Sequence, residues 1–233
     1  MILNDEEFRL QKIYTEYSTN TKYLKKWDKN NPGNLEINKE RINEIQIILK
    51  QFNYYPLSDK KILDIGCGVG EILNWFIGLG AIPENLYGVD LHPILINQAK
   101  EKFNNINFLC MNGEDLDFPD STFDIVLLFT VFSSIMEEKM TINIAKKISR
   151  LLKNGGCILF YDFFLNNPFN TNVRGISRKK ISQYFPEMEI FSKKITLLPL
   201  LARRLGRHAP ILYPLFNSIS LLHTHNFALI KKN

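Results

Sequence analysis

The stretch Ile62-Leu63-Asp64-Ile65-Gly66-Cys67-Gly68-Val69-Gly70-Glu71 decides the fold of this 233-residue chain. It is typical of a short apolar strand that enters a glycine-rich turn and continues at Glu71 into a helix. Glycines at such a turn adopt backbone angles closed to other residues and let a ligand approach, while the amides of the following helix point at that ligand. A dinucleotide fingerprint would place its third glycine at position 71, so the spacing of Gly66, Gly68 and Gly70 disfavours NAD.

A second segment, Leu86-Tyr87-Gly88-Val89-Asp90-Leu91, reads as the next strand and ends in a carboxylate. In doubly wound sheets a carboxylate in this place lies at the ligand crevice and accepts hydrogen bonds from the ribose hydroxyls. Asp90 is therefore a candidate nucleoside ligand. The alternative is that Asp90 only caps the helix predicted to begin at Pro93.

Two later segments follow at helix-length intervals. They are Asn112-Gly113-Glu114-Asp115-Leu116-Asp117-Phe118-Pro119-Asp120-Ser121-Thr122-Phe123-Asp124-Ile125-Val126 and Leu151-Leu152-Lys153-Asn154-Gly155-Gly156-Cys157-Ile158-Leu159-Phe160. In the latter, Gly155 is predicted to cap a helix and Gly156 to belong to a tight turn. Taken in order, the four segments resemble the motifs of class I S-adenosylmethionine (SAM) dependent methyltransferases.

That resemblance implies SAM as the cofactor and a set of residues that bind it. In the family the residue at Leu91 lies against the adenine. Many relatives carry an aspartate that accepts from the adenine amino group, where this chain has Asn112, whose side-chain oxygen still accepts but carries no charge. The predicted cofactor-binding set is Asp64, Gly66, Cys67, Gly68, Gly70, Asp90, Leu91, Asn112, Gly113, Glu114 and Phe129.

Strand and helix patterns alternate along most of the chain, which predicts an α/β fold with right-handed crossovers. We expect a doubly wound, seven-stranded, mostly parallel sheet, and the resemblance adds an antiparallel last strand. The predicted strands cover about 61–66, 85–90, 106–110, 123–129, 157–163, 188–197 and 224–231, and the predicted helices about 70–79, 93–103, 136–153 and 177–185.

Two helical segments are expected beside this sheet. Residues 1–55 form an N-terminal region with two short aromatic-rich helices, a turn at 30–34 and an amphipathic helix over about 42–52. In the family such a region covers the SAM pocket as a lid, and residues 56–233 would form the SAM-binding domain. Residues 199–222 are an apolar insertion between the last two strands, predicted to form one or two amphipathic helices. These helices would close the acceptor pocket, form a homodimer face or contact a membrane surface.

Composition excludes few classes of protein. The net charge of +5 is modest, and no apolar run reaches the roughly 18–20 residues of a membrane span. The first seven residues are acidic rather than basic, so no secretory signal is expected. Cys67, Cys110 and Cys157 lack metal-ligand spacing and are predicted to be buried thiols in a reducing cytoplasm, with no metal site.

The catalytic groups follow from the reaction that SAM implies. Its methyl group is already activated, so transfer requires in-line positioning, and a hydroxyl acceptor also requires a base. Relatives often carry a glutamate and a histidine after the fourth strand, where this chain has small hydroxyl residues that include Ser133. The candidates are Asp162 as the base, with Tyr161 and Ser133 beside the acceptor. The alternative for Asp162 is a cap or a salt bridge with Arg174.

The acceptor class is narrowed by motifs that the chain lacks. No N/D-P-P-Y/F element follows the fourth strand and no cysteine follows a proline, so nucleic acid is not expected as the acceptor. The tail from Asp162 to His225 loosely resembles methyltransferases encoded among bacterial surface-polysaccharide genes, which implies O-methylation of a sugar, a glycan precursor or another small molecule. Two alternatives stay open: a small-molecule N- or C-methyltransferase, and a non-catalytic SAM-binding partner in which Phe129 or Phe132 blocks the acceptor pocket.

Overall fold

A seven-stranded sheet organises the chain in the computed structural model, which describes residues 4–168 and 170–233. Its strands are β1 (Ile62–Ile65), β2 (Leu86–Asp90), β3 (Asn107–Cys110), β4 (Phe123–Phe129), β5 (Leu152–Phe163), β6 (Glu189–Leu197) and β7 (His223–Lys231). They lie in the order β3-β2-β1-β4-β5-β7-β6. Strand β7 is antiparallel to both of its neighbours, and the pairs among β1 to β5 are parallel. The predicted fold class is confirmed.

Helices flank the sheet and precede it. They are α1 (Asp5–Thr19), α2 (Thr21–Lys26), α3 (Pro32–Gln51), α4 (Glu71–Gly78), α5 (Pro93–Lys102), α6 (Glu138–Leu151), α7 (Arg178–Tyr184), α8 (Pro199–Arg204) and α9 (Ala209–Asn217), with short 3-10 turns at Pro83–Asn85, Gly206–His208 and Ser220–Leu222. Within the described residues, none of these helices is long and apolar enough to span a membrane. Residues 1–3, on which the expectation about a secretory signal partly rests, lie outside the described residues.

Two apolar layers cover the two faces of the sheet because successive strand residues point to opposite sides. In β4, Val126 and Leu128 face the layer that contains α6, whereas Leu127 and Phe129 face the layer that contains α3 and α4. Both layers are fully buried along the central strands. Because both faces of the sheet are covered, a ligand crevice can form only at the edge where the parallel strands have their carboxyl ends.

Two local predictions need correction. The turn expected at 30–34 is the start of α3: the Asn31 side chain accepts from the Gly33 and Asn34 amides, and Pro32 takes the first helical position, where its missing N–H costs nothing. Gly155 does not cap α6, which ends at Leu151. It lies inside β5 with φ of +74°, and its amide donates to the Lys232 carbonyl at 3.0 Å.

The insertion at 199–222 is helical, as the sequence predicts. Helix α8 packs closely on α3: a Cβ added at Gly33 would lie 2.1 Å from the Ala202 carbonyl oxygen. Helix α9 and the turn after it expose Ile211, Leu215 and Leu221 by 77, 63 and 90%. Such exposure is compatible with a contact surface, and the roles in dimerisation or membrane contact stay predictions.

Candidate active site

The glycine turn after β1 is hydrogen-bonded to β2 and has open space at Gly68. The Gly66 and Cys67 amides both donate to the Val89 carbonyl, at 2.8 and 3.0 Å. Gly66 and Gly68 have φ of +73° and +53°, which favour glycine. A Cβ added at Gly66 would meet the Val131 side chain at 2.9 Å, whereas one at Gly68 would have nothing within 4 Å. The backbone at Gly68 is therefore open to a ligand.

Asp90 at the end of β2 bridges this turn to the next helix. One carboxylate oxygen accepts from the Gly68 amide at 2.9 Å, and the other accepts from the His92 amide at 2.8 Å. Helix α5 has His92 rather than Asp90 at its N-cap position. Burial raises the pKa of Asp90, and its hydrogen bonds and His92 partly oppose that shift. Each oxygen keeps a further lone pair for a ligand hydroxyl.

Asp64 at the end of β1 is a buried carboxyl without a partner. It is 1% exposed, and neither side-chain oxygen has a hydrogen-bond partner in the part of the chain that the structure describes. Burial, followed by the charge of Asp90, raises the pKa of Asp64 well above its ordinary value. Buried polar groups are normally paired, so an orphaned carboxyl one residue from the glycine turn points to a bound cationic or hydrogen-bond-donating group.

A cavity of about 180 Å³ lies at the carboxyl ends of β1, β2 and β4. Seven residues of the predicted cofactor set line it: Gly66, Gly68, Asp90, Leu91, Asn112, Gly113 and Phe129. The cavity is smaller than the 300–1,000 Å³ of typical ligand sites, and α1 forms one of its walls.

Four residues of that set do not line the cavity. Besides Asp64, they are Cys67, Gly70 and Glu114. Cys67 is buried, as is Cys157, and burial raises the pKa of Cys67. The prediction of a buried thiol is wrong for Cys110, which is exposed at the end of the edge strand β3. Gly70 is the N-cap residue of α4 with φ of +79°, and a Cβ there would lie 2.6 Å from the Phe108 ring, so only glycine fits. The Glu114 carboxylate accepts from the Asn143 amide at 2.7 Å, in a separate surface groove.

Helix α1 contributes cavity residues that the motifs did not identify. Leu10, Gln11 and Tyr14 line the cavity, and Gln11 donates to the Leu91 carbonyl at 3.2 Å. The Tyr14 hydroxyl lies 2.9 Å from the Ser134 hydroxyl, in the loop after β4. The sequence predicted a covering segment, but helical periodicity alone could not show which face of α1 would turn towards the sheet.

Asn112 is joined to α1. Its side-chain nitrogen donates to the Glu7 carboxylate at 2.5 Å, and its side-chain oxygen accepts from the Glu114 amide at 3.0 Å. The other Glu7 oxygen accepts from the Asn4 amide at 2.7 Å and completes the capping box of α1. An amide at position 112 is thus matched to a buried carboxylate on the covering helix. The expectation that Asn112 accepts from adenine stays a prediction.

The three predicted catalytic residues lie away from the described cavity. Asp162 is fully buried, and its carboxylate accepts from the Ser133 and Phe163 amides, both at 2.9 Å. Burial raises the pKa of Asp162 to about 7. Ser133 is also fully buried. These contacts make Asp162 an anchor for the loop after β4, and its role as a base stays a prediction that the geometry does not favour.

The alternative partner for Asp162 is wrong, because Arg174 pairs with Glu138 instead. Tyr161 points to the opposite face of the sheet from Asp162, where its hydroxyl lies 3.0 Å from the Thr196 hydroxyl. Burial raises the pKa of Tyr161 to about 12, which keeps the phenol protonated at neutral pH. The centre of the Tyr161 ring lies 5.6 Å from that of Phe129. Phe129 lines the cavity, and Tyr161 does not.

Phe129 and Phe132, the two residues that a non-catalytic protein would use to block the pocket, lie in different places. Phe132 is fully buried in the layer of α6, in contact with Phe160, Tyr184 and Phe185. Phe129 lines the cavity. Only Phe129 is therefore placed to limit access to an acceptor.

Residues 63–160 match a protein-family model described as a methyltransferase domain. This match runs from β1 into β5 and supports a class I SAM-dependent methyltransferase. A solved SAM-dependent methyltransferase from Methanosarcina mazei shares the fold with a TM-score of 0.60 and 19% identity, over 77% of this chain and 95% of that one. The domain and its structural neighbours imply SAM as the cofactor.

Curated relatives match about half of this chain, and their names give different acceptors. A tRNA N(3)-cytidine methyltransferase from Gallus gallus is 30% identical over 129 residues, which are 51% of this chain and 35% of that protein. A ubiquinone/menaquinone biosynthesis C-methyltransferase from Campylobacter jejuni is 26% identical over 113 residues, 47% of each protein. This chain thus spans half or less of the curated relatives that it matches. Their names do not agree on an acceptor.

The site has the features that SAM requires. The orphaned Asp64 carboxyl suits an ammonium group, although it does not line the cavity, and Asp90 suits a ribose diol beside the open backbone at Gly68. Among residues 4–168 and 170–233, no group of three or more His, Cys, Asp or Glu side chains is placed to hold a metal ion.

Proposed function

We propose that the protein is a SAM-dependent methyltransferase that acts on a small-molecule or glycan acceptor. The observation that carries this proposal is the pair of buried carboxyls at the ends of β1 and β2, which flank an open glycine turn. Asp90 is anchored by two backbone amides, while Asp64 has no partner among the described residues. A purely structural role would leave the second carboxyl buried at considerable cost.

The cofactor supplies an activated methyl group on a sulfonium. Asp90 would bind the ribose hydroxyls, and Asp64 the amino group of the methionine part. Leu10, Gln11 and Tyr14 on α1 would exclude water from the cavity. Positioning of this kind supplies about 7–11 kcal/mol towards a displacement reaction, so a dedicated base is needed only when the acceptor must lose a proton.

The finer proposal is O-methylation of a sugar hydroxyl in a cytoplasmic glycan precursor. It is supported by the sequence resemblance of the tail after Asp162 and by the absence of nucleic-acid acceptor motifs after β4. Small-molecule N- or C-methylation would use the same cofactor residues. The elements that we propose to cover the acceptor, α1 to α3 and the 199–222 insertion, lie outside the matching domain at 63–160.

A transfer assay tests this proposal. The purified chain is incubated with methyl-labelled SAM and three acceptor sets: nucleotide sugars with monosaccharides, quinone precursors, and total tRNA. The proposal expects label in the first set and loss of that label in Asp64→Asn, which cannot carry the negative charge. Label in tRNA alone would contradict the acceptor class, and no SAM binding at all would contradict the function.

A further inference from the structure

Arg41 on α3 makes cation–π contacts with two aromatic rings near the cavity wall. Its guanidinium carbon lies 5.1 Å from the centre of the Trp75 ring and 5.2 Å from that of Tyr161. One terminal nitrogen donates to Asn38 at 2.5 Å. The Nε atom is buried and has no hydrogen-bond partner among the described residues. The rings therefore fix the guanidinium plane while leaving a donor unused.

Arg203 on α8 is a second guanidinium close enough to Tyr161 and His225 to act on them electrostatically. It is half-buried, and its Nε donates to the Asn34 side chain at 3.0 Å. Within the described residues, neither Arg41 nor Arg203 lies within 4.0 Å of a carboxylate oxygen. Burial lowers the pKa of Arg203, with a smaller opposing effect from Tyr161. Two partly buried cations without a counter-ion are unusual in a folded protein.

An acidic group close to Tyr161, the Glu40 carboxylate, is bonded to donors other than these arginines. The Glu40 carboxylate accepts from the Tyr213 hydroxyl and the Asn217 amide, both at 2.7 Å, and from the Thr196 amide at 3.3 Å. All three donors come from the β6 and α9 region rather than from the arginines.

The charges of both arginines act on the buried His225 ring. Its ring stacks on Tyr161 at 4.5 Å with an interplanar angle of 6°. Burial, then Arg41 and Arg203, lowers the pKa of His225 well below its ordinary value. The histidine is therefore neutral at neutral pH, and the positive potential of this region comes from the two guanidinium groups.

The arginines lie next to the proposed cofactor cavity rather than at a distant surface. Phe129 lines that cavity, and its ring contacts Tyr161 at 5.6 Å. Trp75 belongs to α4, which begins directly after the glycine turn. Tyr161 and His225 lie on adjacent strands, close to the carboxyl end of β5. An acceptor that approaches past Phe129 would meet the arginines next.

We propose that Arg41 and Arg203 form a subsite for an oxyanion, a phosphate or a carboxylate group, carried by the methyl acceptor. This inference rests on the proposed function and deepens it, because it specifies that the acceptor is anionic. A guanidinium presents a planar fork of donors that matches both kinds of oxyanion. The contacts with the Trp75 and Tyr161 rings pre-orient the fork of Arg41, which reduces the entropy lost on binding.

Calorimetry with simple anions tests the subsite. Inorganic pyrophosphate and glutarate are titrated, at constant ionic strength, into the full chain saturated with S-adenosylhomocysteine, the demethylated product. We expect at least one of the two to bind with 1:1 stoichiometry. Arg41→Gln and Arg203→Gln should each weaken that binding about tenfold or more. Arg204→Gln is the matched control, because Arg204 is the exposed neighbour on the same helix and should change binding less than twofold.

Arg41→Lys covers the case in which Arg41→Gln does not fold. It keeps the charge but loses the fork, so binding should weaken several-fold while the circular dichroism spectrum is unchanged. No binding of either anion by the wild type, or an equal loss in Arg204→Gln, would overturn the inference. Failure of the proposed function is separate: it would appear as no S-adenosylhomocysteine binding in the wild type, whereas failure of the subsite leaves that binding intact.

Discussion

Replacing Asn112 by aspartate should release α1 from the methyltransferase domain. The asparagine donates to the buried Glu7 carboxylate at 2.5 Å, and Glu7 is only 4% exposed. Asn112→Asp turns this donor into an acceptor and brings two carboxylates together where little water can screen them. The family's usual aspartate, otherwise a conservative replacement, is therefore unfavourable in this chain.

The size of the effect follows from the lost bond. A hydrogen bond to a charged group contributes about 1.5–3 kcal/mol, and the repulsion adds to that loss. Opening of α1 should therefore become at least 10- to 150-fold more favourable, since about 1.4 kcal/mol corresponds to a factor of ten. The remaining contacts of α1, such as Tyr14 with Ser134, keep the helix partly docked.

Amide hydrogen exchange followed by mass spectrometry measures this opening in the ligand-free protein. Amides of α1 should exchange at least 10-fold faster in Asn112→Asp. In the double variant with Glu7→Gln the exchange should return towards wild type, because the introduced amide donates to the new carboxylate while its oxygen still accepts from Asn4. Asn143→Asp is the matched control, since Asn143 pairs with Glu114 rather than with α1.

Unchanged α1 exchange in Asn112→Asp would refute this reasoning. So would equal acceleration in the Asn143→Asp control, because the effect would then reflect added negative charge rather than the bond to Glu7.

The remaining predictions concern stability. Gly33→Ala places a Cβ 2.1 Å from the Ala202 carbonyl oxygen and should lower the free energy of urea unfolding by about 1–3 kcal/mol, whereas Gly78→Ala, in open space, should raise it by about 0.5–1 kcal/mol. Equal effects would show that α8 does not pack there. Burial raises the pKa of Asp162 to about 7, so the folded state holds this proton more tightly than the unfolded chain, and the resulting stability is lost as pH rises from about 4 to 7. The unfolding free energy of wild type minus that of Asp162→Asn should thus fall by about 2–3 kcal/mol between about pH 5 and 8. A difference that does not change with pH would contradict the raised pKa of the Asp162 carboxyl.

The sheet and its glycine turn could be predicted because their signals are local. The apolar run at 62–65, the glycines after it and the acidic end of β2 each specify backbone geometry within a few residues. The strand β4 was predicted at 123–129, as observed. The errors concern residues that can either cap a helix or form a turn. Asn31 was expected in a turn and is the N-cap of α3, and Gly155 was expected to cap a helix and lies in β5.

The site was predictable only in part. The bond between Asn112 and Glu7 joins residues 105 positions apart, and no local pattern reveals such a pairing. The positions of Tyr161 and Asp162 follow from a rule that sequence does contain: neighbours on a strand point to opposite faces, so both could not serve one pocket. The arginine subsite depends on how α3 and α8 pack together, which periodicity does not determine.

Calorimetric titration with SAM, S-adenosylhomocysteine, NAD and ATP tests the central claim most directly. The account predicts 1:1 binding of SAM and S-adenosylhomocysteine, and much weaker binding of NAD and ATP. Asp90→Ala should weaken the binding of SAM by about 1.5–3 kcal/mol, because the variant removes a charged acceptor for the ribose hydroxyls. Binding of SAM to Asp90→Ala as tightly as to wild type, or preference for NAD, would contradict the account.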